Sequence, residues 1–407
     1  MDFDYGIIGG GPAGYTAGMS LAKQGYSVVL FEKDNLGGTC LNRGCIPTKS
    51  LIHSSELYAN LKKVEEFGVK FDCSEFDFSK ISEKKDKTVE KIRKSLELAV
   101  KNSGVKTIYG VANIKDKNTI TINDEEYNVG KIIVASGSKP REIKGLEFDH
   151  EFILSSDDIL NMTKLPKSIL IVGSGAIGTE LARIFINFGV EVTIVELADK
   201  LIPPADIEVS KRIERIYKQR KIKYYINDCI DKIEDKNVTL KSGISLTPEI
   251  ILVAAGRVPL CSNIDGSIVL GDASGEIQLA HYAVHQALEF TEKIQFNKGL
   301  VPSVIYGEPE IAWVGLREQD VDETYTKKML PITALGKSWC DDSTDGFIKV
   351  IIKDDKIVGA HIISKEASAL IHIFLVAIQN GIGIDKLKEI CYAHPTYAEG
   401  VFDILER

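Results

Sequence analysis

Two cysteines stand five positions apart, directly behind a glycine-rich turn, in the segment GGTCLNRGCIPTKS at residues 37–50. Cys40 and Cys45 could form a structural disulfide, bind a metal, or act as a thiol couple that exchanges electrons with a cofactor. A zinc site needs four ligands, and this segment offers two. The spacing and position therefore favour a redox couple over a metal site.

The backbone between the two cysteines must be irregular if they are ever to pair. In an ideal helix, Cα atoms five residues apart lie roughly 8–9 Å from each other, whereas a disulfide needs less than about 7 Å. Gly44 permits a tightened turn at this point, and Pro47 suits the first turn of a following helix. Thiols near a helix N-terminus are biased toward the reactive thiolate.

Composition restricts the classes of function. The chain has 407 residues, 44% of them hydrophobic and 27% charged, which predicts a soluble globular protein of two or three domains. A net charge of −8 argues against nucleic acid and anionic membranes as partners. The first apolar run, residues 3–8, begins almost at Met1, which leaves no room for a signal peptide. We therefore expect a cytoplasmic, reducing location, in which the seven scattered cysteines do not form a disulfide framework.

Residues 3–33 have the pattern of a nucleotide-binding unit: strand, glycine turn, helix, strand. Gly9, Gly11 and Gly14 supply a GxGxxG motif, in which the glycines allow a tight turn, a close pyrophosphate and close packing of helix on strand. Glu32 ends the second strand, where a carboxylate suits a ribose diol. This unit is predicted to bind a dinucleotide.

Residues 168–199 repeat the pattern with Gly173, Gly175 and Gly178, ending at Glu196. The first glycine and the acid are 23 residues apart in both copies, which makes two accidental matches improbable. A carboxylate at Glu196 accepts hydrogen bonds from a free 2′-hydroxyl and repels a 2′-phosphate, and residues 197–202 contain no arginine. The second unit is therefore predicted to prefer NAD to NADP.

A candidate base lies near the other end of the chain, in AHPTYAEGVFDIL at residues 393–405. His394 precedes Pro395, and Glu399 is expected one turn into the helix that Pro395 begins. In that position Glu399 can accept the Nδ1 proton of His394, orient the ring and raise its basicity. The alternative is that His394 merely precedes a helix whose N-terminus favours an acid.

The cysteine segment resembles the redox-active segment of the flavin-dependent pyridine nucleotide-disulfide oxidoreductases. Its LNRGCIPTK version is most similar to the dihydrolipoyl dehydrogenase branch, and the resemblance runs along essentially the whole chain. It implies that the first unit holds FAD and the second NAD. It also implies that Cys45 faces the flavin, Cys40 is the interchange thiol, and Lys49 lies near the flavin ring with Glu180 as its ion-pair partner.

The resemblance assigns further positions to the cofactors and to catalysis. His394 becomes the acid–base catalyst, with Glu399 behind it, and reaches the disulfide of the other subunit, so that an obligate homodimer shares each active site. The remaining cofactor contacts that the resemblance implies are Ala112 in an adenine-contacting turn, Gly137 at an exit from the FAD domain, Asp272 at the ribityl chain, Ala280 near the flavin ring, and Gly256 at the end of the NAD domain.

The fold class implied is α/β, with two Rossmann-like dinucleotide-binding domains and a C-terminal α+β dimerisation domain. The predicted division is 1–142 for the first part of the FAD domain, 143–261 for the NAD domain, 262–297 for the second FAD part and 298–407 for the interface domain. Strands are expected at 300–315, 346–352 and 356–363, and helices at 78–103, 367–380 and 384–392.

The implied function is oxidation of dihydrolipoamide, carried on the acyltransferase of a 2-oxo acid dehydrogenase complex or on a glycine-cleavage carrier protein, with reduction of NAD⁺. The alternatives are another disulfide reductase of the family, acting on glutathione or mercuric ion, and a non-catalytic flavoprotein subunit with an impaired NAD site. Glu196 argues against an NADPH-dependent reductase.

Three departures from the family pattern stand out. Roughly two dozen residues that the family carries are missing between Leu260 and Cys261, and the segment around Gly243 is short. These are either true deletions or places where the sequence joins across missing segments, and we favour the second explanation. Cys391, close to the histidine motif, is interpreted as a small buried residue.

Overall fold

The computed structural model describes residues 2–71, 75–261 and 266–406. Its first sheet is built on the amino-terminal nucleotide-binding unit and is parallel at its centre. In spatial order its strands are Lys106–Tyr109, Val28–Glu32, Phe3–Ile8, Glu125–Val134, Thr119–Ile122 and Asn113–Asp116, with Ile268–Val269 added in parallel against Glu125–Val134.

The second sheet is built on the other nucleotide-binding unit and is parallel throughout. In spatial order its strands are Lys223–Tyr225, Glu191–Val195, Ser168–Val172, Ile250–Val253 and Ile153–Leu154. Val28–Glu32 of the first sheet and Ser168–Val172 of the second are almost entirely buried, as strands covered on both faces are. Two smaller antiparallel sheets accompany it: Ile230–Glu234, Asn237–Leu240 and Ser245–Leu246, and the pair Ser138–Pro140 and Arg257–Pro259.

The third large sheet is antiparallel and lies in the carboxy-terminal part of the chain. Its strands, in spatial order, are Ser303–Ile305, Glu310–Gly315, Lys356–Ser364, Phe347–Lys353 and Thr326–Pro331. The apolar helix Ala367–Gln379 packs on it and closes a core of its own. The predicted α/β class with an α+β third unit is therefore confirmed.

Helices connect and cover these sheets. The α-helices are Pro12–Lys23, Gly38–Arg43, Cys45–Leu61, Phe78–Asn102, Ser156–Leu160, Ala176–Asn187, Ile207–Gln219, Ala280–Glu292, Gly336–Cys340, Ala367–Gln379, Ile384–Lys388 and Glu399–Glu406. Short 3₁₀ turns are Val64–Phe67, Gly271–Ser274, Lys298–Leu300, Glu318–Asp320 and Ile332–Ala334. In the described part of the chain, none of these helices has both the length and the apolar character needed to cross a bilayer.

Two expectations about the carboxy-terminal helices are wrong. The helix expected at 384–392 stops at Lys388, since residues 389–392 leave helical geometry before the histidine motif. The last helix begins at Glu399 and not at Pro395, because residues 395–398 form turns and bends. Glu399 therefore stands at the first position of its helix, where a carboxylate is favoured by the free backbone amides.

The segment around Gly243 keeps its strands in spite of its shortness. Gly243 has a φ of +88° in the turn between Asn237–Leu240 and Ser245–Leu246. Val238 and Leu240 are fully buried against the second sheet, so this meander covers the sheet's core. The predicted domain boundary between residues 261 and 262 falls at the edge of residues 262–265, which lie outside the described part of the chain. Cys73 also lies outside it.

A buried network of charges joins the second nucleotide-binding unit to the carboxy-terminal sheet. Lys349 Nζ lies 2.6 Å from Asp206 Oδ1 and also contacts Glu318, and the side chains of Lys349 and Asp206 are 3% and 0% exposed. Burial raises the pKa of Asp206, but His361, Lys349 and backbone amides outweigh it and hold that pKa below the ordinary value. The stabilisation by Asp206 is therefore present above about pH 4 and is lost as the pH falls through the lower folded-state pKa.

Lys349→Met is expected to destabilise the contact between these two units by about 3–5 kcal/mol, because it leaves the carboxylate of Asp206 buried without its cation. Thermal unfolding of the variant should begin well below that of the wild type. Lys353→Met, four residues along the same strand with its ammonium at the surface near Thr324, is the matched control. Equal melting temperatures of the two variants would show that the buried network contributes little to the stability of the protein.

Candidate active site

The two cysteines lie on either side of a break between helices. Gly38–Arg43 carries Cys40, and Cys45 opens Cys45–Leu61. Gly44, between them, has φ −151° and ψ −114°, which is far from helical geometry. This is the irregular turn expected from the sequence, and it brings the two thiols into hydrogen-bond contact as free cysteines.

The two thiols are not electrostatically equivalent. The hydrogen bond from Cys40 and the nearby Lys49 ammonium lower the pKa of Cys45 to about 7, against the opposing effect of burial. The same hydrogen bond, together with burial, raises the pKa of Cys40. When the pair is reduced, these electrostatics favour a thiolate on Cys45 over one on Cys40.

Lys49 stands one helical turn after Cys45 and forms an ion pair with the second nucleotide-binding unit. Its Nζ lies 2.9 and 2.8 Å from the two carboxylate oxygens of Glu180, on Ala176–Asn187. The Glu180 side chain is only 6% exposed, so the pair is shielded from water on the acid's side. The structure thus brings together the two residues that the resemblance pairs.

Both glycine turns have the close approaches that their motifs predict. Gly9 and Gly173 have φ of +105° and +103°. A Cβ on Gly14 would lie 1.8 Å from the carbonyl oxygen of Gly9, and one on Gly178 would lie 2.0 Å from that of Gly173. A Cβ on Gly175, by contrast, would meet nothing within 4 Å, so this position is open to a ligand.

The strand-end acids are tied to the glycine turns. Glu32 accepts hydrogen bonds from the backbone amides of Gly10 at 2.7 Å and Asp34 at 2.8 Å. Glu196 likewise accepts from the amide and hydroxyl of Ser174, at 2.8 and 2.7 Å. Each carboxylate is buried and fixed at the edge of its turn, which fits the adenosine-ribose end of a dinucleotide.

The other predicted flavin contacts lie in turns and at the ends of strands and helices. Ser138 donates a hydrogen bond to Asp272 at 2.6 Å and accepts one from Arg257 at 2.8 Å. Gly137 has φ +76° and no atom within 4 Å of its Cβ position. The remaining predicted flavin contacts are Ala112 and Ala280. Ala112 lies two residues after Gly110, whose amide donates to the Glu32 carbonyl at 2.8 Å, and Ala280 is the first residue of Ala280–Glu292. Gly256, the predicted contact at the end of the NAD domain, has φ +98° and lies beside Arg141.

The second glycine turn predicts different outcomes for two alanine substitutions. Gly175→Ala should leave thermal stability unchanged but raise the Kd for NADH roughly tenfold or more, because the methyl group occupies the space of the pyrophosphate. Gly178→Ala should lower stability as well, since its Cβ collides with the backbone. Fluorescence titration with NADH and a thermal melt separate the two, and tight NADH binding by Gly175→Ala would contradict this account.

His394 and Glu399 are in contact through Nδ1 as expected, although Glu399 begins its helix and does not lie one turn into it. His394 Nδ1 lies 2.8 Å from Glu399 Oε1, while the other carboxylate oxygen accepts from the amide of Thr396 at 2.8 Å. The Thr396 amide, with the hydrogen bond to His394, holds the pKa of Glu399 below its ordinary value. The His394 side chain is 77% exposed, and it is Nδ1 that faces the acid.

Cys391 does not fit its interpretation as a small buried residue, because it is exposed. The helix that would have buried it ends at Lys388. With respect to metals, no group of three or more His, Cys, Asp or Glu side chains among the described residues is arranged to hold an ion.

Sequence reasoning missed three contributors to the site. Tyr306 places its ring below Lys49, Arg183 is buried behind it, and Arg257 holds Ser138. Arg183 follows Glu180 by three residues on one helix, a spacing that could have suggested a shared face. Arg257 directly follows the predicted Gly256, but the sequence did not assign its side chain a contact, and Tyr306 belongs to no spacing pattern, since tertiary packing alone brings it to the site.

The fold and the site together define a class of protein. Two sheets with parallel strands carry dinucleotide-type glycine turns, and a thiol pair that can be oxidised to a disulfide follows the first turn, as in oxidoreductases that move electrons between a dinucleotide and a disulfide. The family model described as pyridine nucleotide-disulphide oxidoreductase matches residues 3–283, and the model of its dimerisation domain matches residues 301–403. The chain belongs to this family.

Relatives extend over nearly the whole chain. A dihydrolipoyl dehydrogenase of Bacillus subtilis is 31% identical over 445 aligned positions, covering 98% of this chain and 97% of the relative. A mitochondrial dihydrolipoyl dehydrogenase of Pisum sativum is 31% identical, covering 98% of this chain and 90% of the relative. Because 445 positions exceed the 407 residues here, the Bacillus relative carries segments that this chain lacks.

Solved structures share the fold. LpdA from Mycobacterium tuberculosis superposes with a TM-score of 0.91 at 22% identity, over 99% of both chains. The HOCl-induced flavoprotein disulfide reductase RclA from Escherichia coli gives a TM-score of 0.88 at 23% identity, again over 99% of both chains. As a member of the family the chain is an oxidoreductase with FAD and NAD as cofactors, and its dimerisation domain supports a homodimer.

Proposed function

We propose that the protein is a dihydrolipoyl dehydrogenase, which oxidises protein-bound dihydrolipoamide to lipoamide and reduces NAD⁺ to NADH. The observation that carries the proposal is the thiol pair: Cys40 and Cys45 touch across Gly44, and Lys49 favours the thiolate of Cys45. Relatives with the dihydrolipoyl dehydrogenase name, at 31% identity over nearly the full chain, support the choice of substrate.

The two cysteines carry the disulfide exchange in this proposal. A thiolate of dihydrolipoamide attacks the sulfur of Cys40 in the Cys40–Cys45 disulfide, and Cys45 leaves as the thiolate that Lys49 stabilises. The second substrate thiol then attacks the mixed disulfide, which releases lipoamide and the Cys40 thiol. Two electrons now reside on the thiol pair, and bound FAD supplies the path by which they reach NAD⁺ as a hydride.

His394 removes the proton that this exchange requires. A thiol must lose its proton before it attacks, so a base must stand beside the substrate sulfur. Glu399 fixes the ring through Nδ1 and leaves Nε2 free to accept that proton. Because His394 is largely exposed within its own protomer, we assign it to the disulfide of the partner subunit, so that each active site is shared across the dimer.

The cofactor assignments follow the two glycine turns. FAD is held by Gly9, Gly11, Gly14, Glu32, Ala112, Gly137, Asp272 and Ala280, with Lys49 near its ring. NAD is held by Gly173, Gly175, Gly178, Glu196 and Gly256, with Glu180 facing Lys49. The corresponding division of the chain is FAD domain 1–142 and 262–297, NAD domain 143–261 and interface domain 298–407.

The partner class follows from the substrate. A lipoyl group is presented on the acyltransferase of a 2-oxo acid dehydrogenase complex or on a glycine-cleavage carrier protein, and the enzyme would serve one of these in the cytoplasm. Nucleic acid and membranes are not assigned as partners, in keeping with the net charge of −8.

The test is the initial rate of NAD⁺ reduction by dihydrolipoamide, compared with the rate of glutathione disulfide reduction by NADPH. The proposal expects rapid turnover in the first assay and little in the second. A yellow, FAD-loaded dimer without activity toward dihydrolipoamide would overturn the substrate assignment. Activity only in the second assay would identify a different disulfide reductase of the family.

A further inference from the structure

The ammonium of Lys49 contacts a residue of the carboxy-terminal unit as well as the second nucleotide-binding unit. Lys49 Nζ lies 4.5 Å from the centroid of the Tyr306 ring. Tyr306 directly follows Ser303–Ile305, the first strand of the carboxy-terminal sheet. A cation at this distance over an aromatic face is attracted by the ring's electron density. The backbone amide of Tyr306 also donates to Glu180 Oε1 at 3.0 Å, so one residue contacts both members of the ion pair.

The turn that carries Tyr306 is fixed from behind by a buried cation. Arg183 is 3% exposed and donates through Nη1 to the carbonyl oxygens of Tyr306, at 3.4 Å, and of Pro309. Gly307 has φ +127°, and a Cβ there would lie 2.6 Å from Arg183 Cδ and Nη1. The guanidinium therefore packs directly on the turn, with no room for another residue at 307.

We propose that Tyr306 is a positioning residue, which holds the Lys49 ammonium near Cys45 and so makes the carboxy-terminal unit part of the redox site. Lys49 extends from a helix that packs on Ala176–Asn187, and Glu180 alone could draw its ammonium away from the cysteine turn. The ring opposes that movement from the other side, and Arg183 keeps the ring in place. The role in turnover rests on the proposed function, while the effect on Cys45 does not.

The consequence is a change in the protonation of Cys45. Removal of the ring should let the Lys49 ammonium, with its Glu180 partner, shift away from Cys45 toward solvent, and a thiolate that loses a neighbouring cation has a higher pKa. Other groups around Cys45 stay in place in such a variant. The titratable and charged groups that act on Cys45 from the packed elements are Cys40, Lys49, Glu180, Arg257 and Tyr306.

The experiment measures the pH dependence of iodoacetamide alkylation at Cys45, read from the Cys45 peptide by mass spectrometry. It uses the FAD-loaded Cys40→Ser protein, so that Cys45 is the reactive thiol of the pair. Tyr306→Leu should move the midpoint upward by roughly 0.5–1 pH units, while Tyr306→Phe, which keeps the ring, should stay near the parent value. If the leucine variant does not load FAD, Tyr306→Met replaces it.

A Lys49→Met background separates positioning from general packing. There the ring has no cation to hold, so Tyr306→Leu should no longer shift the midpoint. Two results would overturn the proposal. One is that Tyr306→Leu leaves the alkylation midpoint of Cys45 unchanged when Lys49 is present. The other is that Tyr306→Leu shifts the midpoint by the same amount in the Lys49→Met background. Because the readout needs no dihydrolipoamide, failure of the dehydrogenase assignment would appear separately, as absence of turnover in the wild type.

Discussion

Cys45→Ser is expected to reduce the rate of NAD⁺ reduction by dihydrolipoamide by roughly 10⁴-fold or more, since it removes the sulfur that accepts the electron pair. Serine is nearly isosteric and can still hydrogen-bond with Cys40, so the turn should keep its shape. Bound FAD and thermal stability should therefore be unchanged. The measurement is the steady-state rate beside the flavin absorbance and a thermal melt.

Two controls make this prediction specific. Cys40→Ser should cause a similar loss, because either substitution leaves a lone thiol that cannot form the disulfide. Cys229→Ser, at a partly buried thiol beside Asp228 in the second nucleotide-binding unit, should retain nearly full activity. Substantial turnover by Cys45→Ser would show that electrons reach NAD⁺ without this thiol pair.

His394→Gln is expected to lower kcat by about 10²–10⁴-fold, because the substrate thiol then loses its base while the disulfide and both cofactor sites remain intact. Glu399→Gln should have a smaller effect, since the side-chain oxygen of glutamine can still accept the hydrogen bond from His394 Nδ1, while the negative charge of the carboxylate is lost. Steady-state rates over a range of pH, with NADH reduction of an artificial electron acceptor as the reference reaction, would measure both.

Mixing two inactive variants tests whether His394 serves the partner subunit. A hybrid dimer of His394→Gln and Cys45→Ser protomers contains one site with both native residues if the site is shared, and none if each site lies within a protomer. Random reassortment should then restore about a quarter of the wild-type rate. Failure to recover activity, with hybrids shown to form, would place His394 in the site of its own chain.

Much of the site could be predicted because its residues belong to short local sequence patterns. Gly9 and Gly173 need positive φ, which favours glycine, and the spacing to Glu32 and Glu196 follows from one strand–helix–strand unit. The break at Gly44 followed from the geometric requirement for pairing two cysteines. The bond between His394 and Glu399 needed only a five-residue separation, so it was found even though the local helix was misplaced.

The parts that sequence reasoning missed depend on contacts between distant elements. Lys349 and Asp206 are 143 positions apart. In the sequence, Lys349 looks like an ordinary surface lysine of a strand, and Asp206 looks like an ordinary aspartate before a helix. The role of Tyr306 could not be predicted either, since its neighbours in sequence indicate only the end of a strand. Cys391 was interpreted as a small buried residue from its residue type alone, and the structure places it on the surface, beyond the helix that ends at Lys388.

The three parts of the chain therefore meet at one redox centre. The amino-terminal unit supplies the thiols and Lys49, and the second unit supplies Glu180 and Arg183. The carboxy-terminal unit adds Tyr306 and, under the proposed dimer, His394. The buried Lys349–Asp206 contact joins the second and third units at a place away from the cysteines.

The most direct test of the central claim follows the two sulfurs themselves. FAD-loaded enzyme is mixed anaerobically with one equivalent of dihydrolipoamide, quenched with iodoacetamide before and after NAD⁺ is added, and the Cys40 and Cys45 peptides are quantified. The account predicts that both cysteines become alkylatable with dihydrolipoamide and are protected again as NADH forms. NADH formation while this pair stays unreactive, or a pair that stays alkylatable after NAD⁺ is consumed, would contradict it.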